Sequence, residues 1–252
     1  MPKFAANLTF LFKEYPFLDR FQAAADAGFD AVEVLFPYDD PVPDILGRLN
    51  ASGLPLALIN TPPPNWTGGD RGFAAVPGGE DRFRRDFRRS LRYAQRLKPA
   101  HIHIMSGIAE GAAARDTLIR NLSWAAAEAP GQSLTIEPLN PVDMPGYFLN
   151  DFDLAAAVLA EVDAPNLGLQ FDTYHAQMLA GDAGAIWAAC SPLVRHVQVG
   201  GVPGRHEPDA ADFDHAAFFA RLDAERYAGY VSGEYNPRGR TEDGLGWIRR
   251  KP

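Results

Sequence analysis

A single α/β domain closed as a (β/α)8 barrel is the fold that three features of the 252-residue sequence predict. Short apolar runs alternate with longer helix-patterned stretches from end to end, eight such runs can be marked, and polar residues stand at the ends of the later ones. The runs mostly recur every 25 to 35 residues or so, about one βα unit, with a wider gap of about 45 between the third and fourth. Residues 1–252 are read as one domain, because barrels of this kind reach about 200 to 250 residues as single units.

The first strand is expected at Phe4–Asn7. The helix after it, Phe17–Ala27, places Phe17, Phe21, Ala24 and Ala25 on one face, and Gly28 follows as its C′ glycine. Ala31–Leu35 and Leu56–Asn60 are the second and third strands. The stretch from Asn60 to Glu80 is so rich in Pro and Gly that a long loop is expected there, and such a loop is more often a functional lid than a linker. Asp81–Leu97 is helical; its arginines 82, 84, 85, 88, 89 and 92 are read as a solvated face, and Phe83 and Phe87, with Trp247, as exposed aromatics able to form a contact between copies in a homo-oligomer. His101–Met105 is the fourth strand; His101 and His103 alternate onto one face, but without a third soft ligand they are not read as a metal pair. Helix Ala113–Ala127, strand Leu134–Glu137, helix Phe152–Val162, strands Leu167–Asp172 and His196–Val199, helix Asp214–Leu222 and strand Tyr230–Glu234 complete the series.

Composition narrows the function classes. Twenty-four basic against 32 acidic residues leave a formal charge of −8, poor ground for tracking nucleic-acid phosphates. Cys190 is the only cysteine, which fits a reducing compartment, and the chain is expected to be cytoplasmic. The longest apolar run in MPKFAANLTFLFKEYPF is about five residues, short of the roughly 7 to 15 of a signal-peptide core, and nothing approaches the roughly 18 of a membrane span. No dinucleotide fingerprint, phosphate-binding loop or nucleophile elbow is present.

In a βα barrel the reacting groups sit at the C-terminal strand ends, under the variable loops. The polar residues ending strands five to eight are Glu137, Asp172, Gln198 and Glu234. A buried carboxylate needs a partner, and a divalent cation satisfies all four at once. Three carboxylates and an amide form a hard, all-oxygen set suited to Mg²⁺ or Mn²⁺ rather than Zn²⁺. His175, three residues beyond Asp172, can donate to a carbonyl or hydroxyl, and Arg205 can clamp a substrate carboxylate. Asn7, Glu33 and Asn60 line the barrel mouth or hold loops, with no catalytic role assigned.

Fragments spread over almost the whole chain are together specific: FAANLTFLF, AGFDAVEVLFPYD, IEPLNPVDMPGYFL, LQFDTYHAQ, HVQVGGVPGRHEPD and GEYNPRGRTEDGLGW. With them the chain resembles the hydroxypyruvate isomerases of the xylose-isomerase-like TIM-barrel superfamily. The resemblance implies a divalent metal on Glu137, Asp172, Gln198 and Glu234, with Glu137 and Glu234 doubling as the acid/base pair and His175 and Arg205 touching substrate oxygens. Related sugar epimerases carry His where Gln198 stands, which points to the hydroxypyruvate branch. The implied reaction interconverts hydroxypyruvate and tartronate semialdehyde through an enediolate. Alternatives are a longer 2-oxo acid such as 2-oxo-tetronate, told apart by pocket depth near Trp66, Phe73 and Asn236, a small-sugar isomerase or epimerase, a metal-dependent nuclease, and a metal-binding barrel without catalysis.

Overall fold

The computed structural model describes residues 1–62, 71–209 and 212–248. Eight parallel strands run β1 (Lys3–Asn7), β2 (Ala31–Glu33), β3 (Leu58–Asn60), β4 (His101–His103), β5 (Ser133–Ile136), β6 (Leu167–Asp172), β7 (Val194–Val199) and β8 (Tyr230–Gly233). They are hydrogen-bonded in the order β2-β1-β8-β7-β6-β5-β4-β3. Main-chain bonds from Ala57 N to Val32 O (2.7 Å) and Asn60 N to Leu35 O (2.7 Å) join β3 to the β2 side, so the barrel expected from the strand count is formed.

The ring outside the strands consists of α1 (Arg20–Asp26), α2 (Val42–Ser52), α3 (Glu80–Leu97), α4 (Gly111–Glu128), α5 (Phe152–Val162), α6 (Thr173–Ala180), α7 (Ala183–Cys190) and α8 (His215–Ala224). Helix α1 ends as its sequence predicts, with Gly28 at φ +89°, a left-handed C′ position that costs a glycine nothing. The outward strand residues meet the helices in one apolar core. At its centre, Phe171 of β6 lies edge-on to Trp187 of α7 (5.2 Å between centroids), which in turn lies edge-on to Phe218 of α8 (5.2 Å). Each such buried ring contributes about 1.5–3 kcal/mol through removal from water.

The charged face of α3 is covered as well as solvated. Arg84 and Arg88 lie over the Trp124 ring at 5.4 and 5.2 Å, and Arg88 pairs with Glu128 at 2.8 Å. Phe83 and Phe87 do not form the exposed patch expected of them. They are 2% and 0% exposed, pack against Trp124, and supply the apolar stripe by which this arginine-rich helix docks. Trp247 is likewise packed, against Phe4 and Tyr235. The long loop expected after β3 falls partly on residues 63–70, which with Trp66 lie outside the described residues.

Inward-facing positions set this barrel apart from one filled with branched aliphatic residues. Ala5, Ala31 and Ala57 form a small apolar cluster inside it. Polar residues that are buried on the strands include Asn7, Glu33, His103, Thr135, Gln170, His196, Gln198 and Ser232. The alternation of strand side chains carries this polar layer at and just below the strand ends.

One buried histidine lies outside this layer and gives a clean pH prediction. His215, first residue of α8, faces the hydroxyl of Thr173 (3.1 Å), and burial lowers its pKa from 6.5 to about 4. The unfolded chain takes up this proton at higher pH than the folded one, so the stability tied to neutral His215 is complete above about pH 6.5 and is lost toward pH 4. Urea titrations at pH 7.5 and 4.5 are expected to show that the acid-induced loss is smaller by about 2–3 kcal/mol in His215→Gln than in the parent. Equal losses would remove His215 as a source of acid sensitivity.

Candidate active site

Strand ends β5 to β8 converge. Asp172 closes β6, Gln198 is the penultimate residue of β7, and Glu137 and Glu234 stand one residue beyond β5 and β8. All four are buried: Glu137 is 4%, Asp172 0%, Gln198 0% and Glu234 6% exposed. Strand pairing places Asp172 opposite Gln198 and Gln198 opposite Ser232, so these three stand at one level, with Glu234 two residues beyond Ser232.

The carboxylates are held unequally. Glu137 Oε2 accepts from Gln170 Nε2 at 2.7 Å, whereas its Oε1 is buried and has no hydrogen-bond partner among the described residues. Asp172 Oδ1 accepts from the main-chain N–H of Tyr174 (2.9 Å) and caps α6, and its Oδ2 accepts from Arg205 (2.9 Å). Glu234 Oε1 also accepts from Arg205 (2.6 Å), while its Oε2 takes Asn7 Nδ2 (2.9 Å) and Gln198 Nε2. Burial pushes the Glu234 carboxyl up to about 7 and that of Asp172 to about 6, with Arg205 opposing in both. Glu137 is pushed well above the ordinary range by burial and by the neighbouring charges of Glu234 and Asp172.

Arg205 is stacked between two rings, 5.2 Å from the Phe10 centroid and 5.0 Å from that of Tyr174, in a loop where its own φ is +54°. Burial alone would lower its pKa, but Glu234 and Asp172 outweigh that and raise it. Gln198 donates through Nε2 to Glu33 Oε1 (2.6 Å) and Glu234, and accepts on Oε1 from Gln170 (2.7 Å). Its carbonyl oxygen keeps a second lone pair.

Ligand atoms of Glu137, Asp172 and His175 lie within 4.8 Å of one another, a buried group that can hold a metal ion. The main chain decides what His175 brings to it. Its Nδ1 accepts from Asn140 N–H at 3.0 Å, so the ring proton sits on Nε2, which lies 3.8 Å from Asp172 Oδ2. Burial, then the Arg205 charge, keep the ring neutral. His175 therefore presents an N–H donor at this edge of the site.

Several members of the site carry no catalytic role in the sequence reading. Glu33 accepts from Asn7 (2.7 Å) and Gln198 and pairs with His196 Nε2 (2.6 Å). Gln170 joins Glu137 to Gln198, and Asn140 fixes the His175 tautomer. The signal for Gln170 was available, since it stands two residues before Asp172 and shares its face. His101 and His103 hydrogen-bond to Ser133 (2.9 Å) and Asn60 (3.2 Å), and burial lowers both to about 3. His206 faces the main-chain oxygen of Asn236 at 2.8 Å.

Comparison with known proteins places this geometry. A family model described as xylose isomerase-like TIM barrel matches residues 21–251. The chain is 45% identical to a 2-oxo-tetronate isomerase of Cupriavidus necator over 99% of this chain and 98% of the relative, and 34% identical to the hydroxypyruvate isomerase of Escherichia coli over 98% of each. A crystal structure from Brucella melitensis, named AP endonuclease, family 2, superposes with a TM-score of 0.95 at 43% identity, covering 98% of both chains. The structure of 3-keto-D-glucoside 4-epimerase from Escherichia coli shares the fold, with a TM-score of 0.78 at 19% identity over 99% of both chains. The chain belongs to the xylose isomerase-like TIM-barrel family, within its hydroxypyruvate and 2-oxo-tetronate isomerase group.

Proposed function

We propose that the protein interconverts a short 2-oxo-3-hydroxy acid and its 3-oxo-2-hydroxy isomer, with 2-oxo-tetronate as its preferred substrate. The observation that carries the reading is the pair of buried glutamates at the ends of β5 and β8 with Arg205 beside them. The longer acid is favoured over hydroxypyruvate because relatives at 45%, 42% and 40% identity bear the 2-oxo-tetronate name. Hydroxypyruvate stands second, on the names of relatives at 34% and 40%. A nuclease role is disfavoured by the net charge of −8.

Moving the carbonyl one carbon along requires the C3–H bond to break and a C2–H bond to form, while the hydroxyl proton passes from O3 to O2. One glutamate takes the carbon-bound proton and the other delivers one to C2, through an enediolate. Burial raises both carboxyls, Glu234 to about 7, which favours the protonated form that a proton donor needs. His175 donates its Nε2–H to a substrate oxygen, where negative charge develops. Arg205 turns part of its guanidinium toward the substrate carboxylate, and Phe10 and Tyr174 restrict it to one plane.

The donor set also fits a divalent cation. Among the described residues Glu137 Oε1 is buried without a hydrogen bond, an arrangement that costs free energy unless a cation or proton meets it. Glu137, Asp172, Gln198 and Glu234 would hold the ion, and their all-oxygen chemistry suits Mg²⁺ or Mn²⁺. When bound, such an ion supplies Lewis-acid polarisation of adjacent substrate oxygens.

Proton NMR in deuterated buffer, with 2-oxo-tetronate and hydroxypyruvate as separate substrates, tests the reading. Isomer formation is expected with Mg²⁺ or Mn²⁺ and is expected to fall at least about a hundredfold after chelation, returning when the ion is restored. Undiminished turnover in chelator would discard the metal. No isomer from either acid, with the metal bound and the barrel folded, would discard the reaction.

A further inference from the structure

The two glutamates are joined beneath the site by a continuous chain of amides. Thr135 Oγ1 donates to Gln170 Oε1 (3.2 Å), which orients the Gln170 amide. Its Nε2 then donates one hydrogen to Glu137 Oε2 (2.7 Å) and the other to Gln198 Oε1 (2.7 Å). Gln198 Nε2 repeats the pattern, with one hydrogen to Glu33 Oε1 (2.6 Å) and the other to Glu234 Oε2. With the glutamates ionised the polarity of the chain is fixed at each link, because an ionised carboxylate only accepts and draws the amide nitrogen toward it. Reversing either amide would set oxygen against oxygen in a buried site, at the cost of an unsatisfied polar pair.

The consequence concerns which oxygen of each glutamate is left to react. In Glu137 the chain engages Oε2 and leaves Oε1 without a hydrogen-bond partner among the described residues. In Glu234 it engages Oε2, together with Asn7, and leaves Oε1 to Arg205 alone. We infer that Gln170 is a positioning residue of the isomerisation: it ties down Glu137 Oε2, commits Oε1 to the proton transfer, and orients Gln198 so that Glu234 is committed in the same sense. Gln170 is 1% exposed and lies two residues before Asp172 on β6, below the strand ends, so it acts through the glutamates and not on the substrate.

This inference rests on the proposed acid/base pair, and one experiment separates the two. In deuterated buffer, an enediolate formed from either isomer returns to its source carrying deuterium or goes forward, and the ratio compares the two glutamates. Gln170→Met keeps the side-chain volume and removes the hydrogen bond to Glu137 directly, whereas Glu234 keeps its bond from Asn7. Relative to the parent, the ratio of exchange to turnover is expected to rise from one isomer and fall from the other, each by about tenfold, with KM within about twofold and bound metal unchanged. Thr135→Val, which removes only the hydroxyl that orients Gln170, is expected to shift both ratios in the same directions by a smaller factor and serves if Gln170→Met does not fold. A general loosening of the barrel would lower turnover without moving the partition. Ratios that stay at parental values in folded, active variants would overturn the inference while leaving the reaction in place. A parent enzyme that neither exchanges nor isomerises would overturn the reading beneath it.

Discussion

Glu137→Gln is expected to reduce turnover about a thousandfold at saturating Mn²⁺ and, in the same protein, to raise the melting temperature by a few degrees. The two effects have one origin. Glu137 is buried beside Asp172 and Glu234, and these charges with desolvation push its pKa well up, so its ionised form is costly to the fold. The amide is isosteric and neutral. Its oxygen can accept from Gln170 as Glu137 Oε2 does, and its NH₂ replaces the unpartnered Oε1. That substitution removes like-charge repulsion, but it also removes a group able to take or deliver a proton at carbon. Loss of activity with gain of stability cannot come from misfolding, which moves both downward. Glu234→Gln is expected to lose turnover to a similar degree, with less gain in stability, because Glu234 is already compensated by Arg205 (2.6 Å) and Asn7 (2.9 Å). Steady-state kinetics with a thermal melt on the same samples decides the matter. Full turnover in either variant would mean that the barrel holds its ligands for some purpose other than this chemistry.

The visibility of this site in the sequence follows from where its residues fall in the strands. Glu137, Asp172, Gln198 and Glu234 each follow an apolar run, and a strand end in a parallel barrel points at the loops, so local pattern alone was enough to place them. The amide chain below was not legible in the same way. Gln170, Glu33 and His196 look from sequence like scattered polar interruptions, and their joint meaning depends on register between strands distant in the chain, with Gln170 opposite His196 and Glu33 opposite Asn7. Helices α2, α6 and α7 are equally hard to read from the sequence. Pro41 and Pro43 obscure the start of α2 although proline suits a first helical turn, and α6 begins at Thr173 with no loop after β6. Phe83 and Phe87 were read as exposed because arginines dominate α3, yet their spacing of four put both on the buried face.

Arg205→Met is expected to show the cost of unpairing buried carboxylates and to show it most clearly at high pH. The guanidinium neutralises Asp172 (2.9 Å) and Glu234 (2.6 Å), whose side chains are 0% and 8% exposed. Removing one partner of a buried pair typically costs about 3–5 kcal/mol, roughly a ten-degree fall in melting temperature for a chain of this size. The sign of the pH dependence follows from the two acids. Both already sit above their ordinary values because burial favours the protonated form, and loss of Arg205 removes what opposes that shift. A carboxyl whose folded pKa exceeds its unfolded one gives up stability as pH rises through the folded value, so the penalty is expected to be larger at pH 8 than at pH 5.5. Added Mn²⁺ supplies a second way to neutralise the same oxygens and is expected to return most of the lost stability. It is not expected to return substrate affinity, since a clamp on the substrate carboxylate needs the planar fork; a KM about a hundredfold higher is expected, with Arg205→Lys restoring charge but little of the affinity. Melts at the two pH values in chelator and in Mn²⁺, beside KM measurements, separate these terms. A penalty independent of pH would mean that Arg205 stabilises the barrel by packing between Phe10 and Tyr174, and a parental KM would take it out of substrate binding.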